Sequence, residues 1–286
     1  MSRKDFPIPV VTVGPGSQEG DEEQLSYIEM PKEMSTFSMP SLPDPERTRV
    51  AQEARAALRW LAEATAAWPL RPQNASFDIG VLDAHNRDIV DQVLGEGEVS
   101  IIVAGKTETR IQESVFTGVW RLRRLGPDGR PTSDLIEVGP IPRVAIEAAR
   151  AAAAGAVPAL PAPDDAFSAP PVLAEIADRV ARRKPGDATH VINLSLLPMS
   201  PSDGRHLGDV LAAGPVRILS RGYGSCRITS TVVRDTWWVQ YVNGYGNPMV
   251  DSIEITDMPE VAVASVEDIA ESAARVQEAL EWLEQD

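Results

Sequence analysis

Gly97-Glu98-Val99-Ser100-Ile101-Ile102-Val103-Ala104-Gly105 returns 117 residues later as Gly214-Pro215-Val216-Arg217-Ile218-Leu219-Ser220-Arg221-Gly222. The same shift carries Arg110, Ile111, Val115, Trp120, Asp134, Ile136, Glu137, Pro142, Val144 and Ala145 onto Arg227, Ile228, Val232, Trp237, Asp251, Ile253, Glu254, Pro259, Val261 and Ala262, without a gap. Self-similarity at one fixed offset is the signature of a repeated structural unit. Upstream, Phe77, Ile79 and Val81 match Ile192, Leu194 and Leu196 at a shift of 115, so the second copy holds two extra residues after its first strand.

Each copy reads as a strand, a helix (86–94 and 204–211) and four strands in succession. Pro127-Asp128-Gly129 and Gly244-Tyr245-Gly246-Asn247-Pro248 occupy equivalent turns. Strands joined by such short loops run antiparallel. The fold class expected is α+β: two tandem copies of a mixed unit, with a largely antiparallel sheet flanked by helices.

Outside the repeat, residues 1–44 mix Pro, Gly, Ser, Met and acidic residues with no steady period, and read as a flexible acidic tail. Within it, residues 27–37 are rich in Met and aromatic side chains and suit docking on a groove of this chain or of a partner. Asp44 and Pro45 signal a helix start, followed by Val50, Ala54, Ala57, Leu61, Ala64 and Trp68 on one face. The first copy then spans 45–154, an Ala/Pro-rich linker 155–171, and the second copy 172–286. Prolines in that linker remove donors and restrict their neighbours, which argues against regular structure there. At the C-terminus Ser265 and Asp268 form a capping pair ahead of Val266, Ile269, Ala273, Val276, Leu280 and Leu283, a helix expected to lie on the sheet.

The 286 residues carry a formal charge of −15, which opposes binding to a phosphate backbone, so nucleic acid is excluded as a partner. That charge serves solubility first, with attraction for basic peptide segments as a secondary reading. No apolar run reaches membrane-spanning length and the first residues lack a secretory apolar stretch, so neither membrane insertion nor export is expected and the location expected is cytoplasmic. One cysteine, Cys226, allows no internal disulfide and no cysteine-built zinc site.

Catalytic constellations are not visible. Gly105-Lys106-Thr107 lacks the glycine a phosphate loop needs five positions earlier, Ser100 standing there, and a strand follows it. His85, His190 and His206 have no second ligand at helical spacing. No nucleophile elbow exists, so the protein is expected to be no enzyme, with neither metal nor cofactor.

The unusual segment is 220–231 with Trp237-Trp238-Val239-Gln240-Tyr241 after it. Alternation along strands puts Cys226, Ile228, Trp237 and Val239 on one face, and Arg227, Thr229, Thr231, Trp238 and Gln240 on the other. Trp238 stands where the first copy has Arg121, which marks the second group as outward. A large aromatic on a polar face indicates a binding surface; the competing reading has a helix or the tail cover it. Arg110 and Arg227 recur in both copies, either as structural ion pairs to Glu137, Glu254 or another carboxylate, or as part of that surface. Cys226 reads either as a small packing residue or, beside Arg221 and Arg227, as a thiol of lowered pKa.

Residues 218–231, together with 237–241 and 253–261, resemble the C-terminal signature of the HupH/HyaF hydrogenase expression family, a likeness spanning about residues 193–265 and including Met30-Pro31-Lys32 of the tail. The resemblance implies an accessory role in maturing a bacterial uptake [NiFe]-hydrogenase, through chaperone-like binding of a hydrogenase subunit precursor before assembly and export. It implies no cofactor and no catalytic residue. It draws attention to Arg221, Gly222, Tyr223, Gly224, Cys226 and Arg227, which join Thr229, Thr231, Trp238 and Gln240 as the partner-binding set. The alternative is a redox, metal or iron-sulfur assembly factor using Cys226.

Overall fold

The computed structural model describes residues 43, 51–221, 225–243 and 245–284. The tail before Pro43, the helix-start residues Asp44 and Pro45, and Val50 lie outside the described residues. The first half runs α1 (Gln52–Ala67), β1 (Ala75–Asp78), α2 (Ala84–Leu94), β2 (Val99–Val103), β3 (Thr109–Glu113), β4 (Val119–Leu125), β5 (Pro131–Val138) and α3 (Arg143–Ala152). The second runs α4 (Ala169–Arg182), β6 (His190–Asn193), α5 (Pro201–Leu211), β7 (Ala213–Ser220), β8 (Ser225–Thr231), β9 (Thr236–Val242), β10 (Pro248–Ile255) and α6 (Val266–Glu284).

All ten strands form one antiparallel sheet in the order β1-β5-β4-β3-β2-β7-β8-β9-β10-β6, which reads the same from either edge inward. The halves meet along β2 and β7, where Ile101 lies opposite Ile218. Those two residues are also equivalent under the shift of 117, so a local two-fold axis passes through that pair. Backbone details repeat with it. Left-handed φ occurs at Gly95, Gly118 and Gly129 and again at Ala212, Asp235 and Gly246, each 117 residues on. Trp120 Nε1 donates to Gly139 O at 2.8 Å, and Trp237 Nε1 to Thr256 O at 3.2 Å.

A second repeated device clasps the helices. Asn86, in the first turn of α2, accepts from Ala54 N–H of α1 at 2.9 Å, while its counterpart Asp203 in α5 accepts from Ser168 and Ala169 N–H, at the start of α4, at 2.7 and 2.8 Å. Asp203 also forms a capping box with Ser200. Burial pushes this carboxyl up, but the hydrogen bonds from Ala169, Ser200 and Ser168 outweigh it and leave the pKa lowered. Asp203→Ala removes the N3 half of a capping box and leaves the N–H groups of Ser168 and Ala169, part-buried and buried, without a partner, so it is expected to cost about 2–4 kcal/mol in urea denaturation. A lowered folded pKa adds stability above the ordinary carboxylate value. In the wild type that contribution is therefore complete above about pH 4 and fades as the pH falls further.

One face of the sheet carries Ile101, Ile111, Trp120, Ile218, Ile228, Trp237 and Val239 under α3 and the short turn at Glu260–Ala262. On the other face, α1, α2 and α6 cover the β4–β5–β1 end, and α4 and α5 cover the β9–β10–β6 end. Two expectations need correction. Helix α4 begins at Ala169, inside the stretch read as irregular, because Pro170 and Pro171 fall in its first turn, where an N–H has no partner to lose. The C-terminal helix buries Ile269, Ser272, Val276, Leu280 and Leu283 and packs largely along α1, leaving Val266 exposed.

Candidate functional site

Strand alternation places Cys226 in the apolar layer with Ile228, Trp237 and Val239, and Arg227, Thr229, Trp238 and Gln240 on the opposite face. Gly222, Tyr223 and Gly224 lie outside the described residues. Arg221 is half-buried, and its backbone N–H donates to Glu98 O at 3.1 Å, across the seam between the halves. Thr231 is folded into the β8–β9 turn, where its hydroxyl donates to Val233 O and Thr236 O. The outer face is less solvated than the sequence suggested. Gln240 and Thr231 are buried, and Trp238 packs against the α4–α5 cluster.

Cys226 is 1% exposed, and burial pushes its thiol up to about 12, with Glu254 adding to the rise and a hydrogen bond with Tyr241 opposing it. Arg227 lies on the other face of the strand, which removes the expected influence of that arginine on the thiol. This is the chemistry of a packing cysteine. The same parity keeps Arg110 from Glu137, and the ion pair Arg110 makes is to another carboxylate. Arg110 shares the outer face and pairs with Glu108 at 2.7 Å, whereas Glu137 points to the other face and accepts from Asn74 Nδ2 at 2.7 Å and Arg143 N–H at 2.9 Å.

Where the two halves differ, the outer face acquires its character. In the first half, Arg121 makes a two-point contact with Asp134, Nε to Oδ1 at 2.9 Å and Nη2 to Oδ2 at 2.7 Å, and also pairs with Asp91 of α2. The equivalent positions in the second half are Trp238, Asp251 and Gly208. The indole Nε1–H of Trp238 donates to Asp251 Oδ1, taking the role of the guanidinium with a neutral donor. Trp238 and Asp251 line a groove of about 330 Å³ together with Leu194, Leu197, Met199 and Leu207. Beside it Leu196 is 81% exposed. Asp251 escaped the sequence reading because its importance is relational: only the register of β9 against β10 brings it to Trp238.

The fold and this groove define an α+β protein of two halves with the same strand order that differ at one surface. The description "HupH hydrogenase expression protein, C-terminal conserved region" fits the chain twice, at residues 51–158 and 166–283, and the chain belongs to that family. It is 45% identical to the hydrogenase expression/formation protein HoxQ of Cupriavidus necator, over 97% of this chain and 98% of that one. It is 40% identical to HupH of Rhodobacter capsulatus over 97% and 98%, and 31% identical to the hydrogenase-1 operon protein HyaF of Escherichia coli over 95% of each. A solved hydrogenase expression protein HupH from Thiobacillus denitrificans is 28% identical, with a TM-score of 0.36, covering 41% of this chain and 96% of that chain. Among the described residues, no helix is long and apolar enough to cross a membrane, and no group of three or more His, Cys, Asp or Glu is placed to hold a metal.

Proposed function

We propose that this protein acts in maturation of a bacterial uptake [NiFe]-hydrogenase as a non-catalytic, chaperone-like binder of a hydrogenase subunit precursor, in the cytoplasm, before assembly and export. The two halves are, in this reading, copies of one unit, of which the second is specialised for binding. The observation that carries it is Trp238 lining a groove with Leu194, Leu197, Met199 and Leu207, on a segment that also exposes Leu196. A half-covered aromatic beside exposed aliphatic side chains supplies buried area to a partner at low entropic cost. Family membership, and relatives named as hydrogenase expression or formation proteins, supply the class of partner.

The test is affinity capture from cells making an uptake hydrogenase, comparing the wild type with a folded Trp238→Ala/Arg227→Ala variant. A subunit precursor is expected with the wild type and to be at least about tenfold depleted with the variant, the usual penalty for losing an aromatic anchor. Recovery of no hydrogenase subunit by the wild type sinks the reading. The same cells carrying Cys226→Ser are expected to mature the hydrogenase fully, because the buried thiol has no chemical role here; loss of maturation with the protein still folded would revive the redox alternative.

A further inference from the structure

We infer that the Trp238–Asp251 groove is a receptor for an arginine side chain, presented by a partner polypeptide between apolar neighbours. The inference rests on the precursor-binding reading and names the chemistry of what is held.

The argument is the comparison of the molecule with itself. Position 134 in the first half and 251 in the second are the same aspartate on the same strand, facing the same side. In the first half that carboxylate binds a guanidinium through both oxygens, the geometry in which carboxylate and guanidinium fit best. The fold therefore shows what this position is shaped to hold. In the second half the internal arginine has become Trp238, and the second acid, Asp91, has become Gly208, around whose missing side chain there is open space within 4 Å.

Asp251 keeps its place, fixed by its backbone N–H donating to Ser195 Oγ at 2.8 Å and by the Trp238 indole on Oδ1. Among the described residues no lysine or arginine is paired with it, and burial raises its pKa against the hydrogen bond from Trp238, the signature of a carboxylate without its counter-ion. A guanidinium entering the groove would meet Asp251 Oδ2, the oxygen equivalent to the one that Arg121 Nη2 holds in the first half. Leu194, Leu197, Met199 and Leu207 around the carboxylate then select apolar residues on either side of the arginine. The formal charge of −15 would favour the approach of a basic segment.

The probe is the capped peptide acetyl-Leu-Arg-Leu-amide, titrated calorimetrically into the full chain, against the same peptide with citrulline, the neutral isostere, in place of arginine. Saturable binding is expected for the arginine peptide, at least about tenfold tighter than for citrulline. Asp251→Asn is expected to erase that difference. Trp238→Arg, which rebuilds the first-half ion pair and fills the groove from within, is expected to abolish binding while leaving the chain folded. Equal affinity for both peptides, absence of saturable binding, or unchanged arginine preference in Asp251→Asn would each overturn the inference.

Precursor capture separates this result from the broader reading. Capture by the wild type with no arginine preference in the titration removes the arginine receptor and keeps the chaperone. An arginine-selective groove in a protein that captures no hydrogenase subunit does the reverse.

Discussion

Trp120→Ala is expected to lower the unfolding free energy by about 4 kcal/mol, one of the largest single-site effects in the molecule. Trp120 is fully buried, on the face of β4 that packs with Ile101, Ile111 and Ile218 across the seam between the halves. Its truncation opens a cavity that a wide sheet cannot close by moving one strand, and it strands Gly139 O, the acceptor of its indole N–H. Trp120→Phe keeps most of the volume and forfeits the hydrogen bond, for an expected loss of about 1–2 kcal/mol. Because a single core cluster draws residues from both halves, the variant should unfold in one transition reported alike by fluorescence and circular dichroism. Urea denaturation decides the matter: a loss below about 1.5 kcal/mol for the alanine variant would mean that the seam is not a shared core.

The second large effect is a pH dependence set by Glu113. This residue ends β3 with its side chain buried, Gly118 N–H donating to its Oε1 at 3.2 Å. Burial pushes its pKa up to about 7, and the nearby Glu98 and Asp268 carboxylates add to the rise against the Gly118 hydrogen bond. An acid whose folded pKa lies above its unfolded value binds its proton more tightly when native, so its ionisation works against the fold. Its contribution to stability is greatest below about pH 4.5 and falls as the pH rises through the window up to about 7 and levels off beyond it. Between pH 5 and 8 the wild type is expected to lose about 2–3 kcal/mol relative to Glu113→Gln, which cannot ionise. Parallel urea titrations at the two pH values measure this difference, and other titrating groups cancel between the two proteins. A difference that stays constant with pH would show that Glu113 is ionised in the native state at no cost.

Much of the architecture could be read before any coordinates. The ungapped offset of 117 residues implied two halves with the same order of strand, helix and four strands, and the alternation of side chains along β8 and β9 sorted Cys226 from Arg227 and Trp237 from Trp238. Helix α6 announced its start through Ser265, whose hydroxyl accepts from Asp268 N–H at 3.0 Å. These are local properties: side-chain period, cap chemistry and turn residues act over a few positions and leave their mark on the residues themselves. The parity that separates Arg110 from Glu137 follows from the same alternation, yet the sequence reading allowed an ion pair between them, and it took the structure to show Glu137 bound to Asn74 and Arg143 instead.

What only the tertiary structure decided involves edges and partners. Either edge of a five-stranded unit could have met its twin; β2 and β7 do, through five backbone-paired positions centred on Ile101 and Ile218, and the backbone groups that make the bond are common to every residue type. The same holds for α6, whose apolar seam specifies that it packs but not that α1 is what it packs on. Trp238, Asp251 and Gly208 could each be aligned with Arg121, Asp134 and Asp91 from the sequence, yet their meaning came from seeing Arg121 clasp Asp134 across neighbouring strands and finding a tryptophan and an open groove in the matching place. The sequence by itself determined the repeated unit, its faces and its caps, because those follow from each residue's immediate neighbours. Which edges joined, which helix covered which face, and which carboxylate was left without its arginine were decided by contacts between distant positions, where a side chain's chemistry does not name its partner.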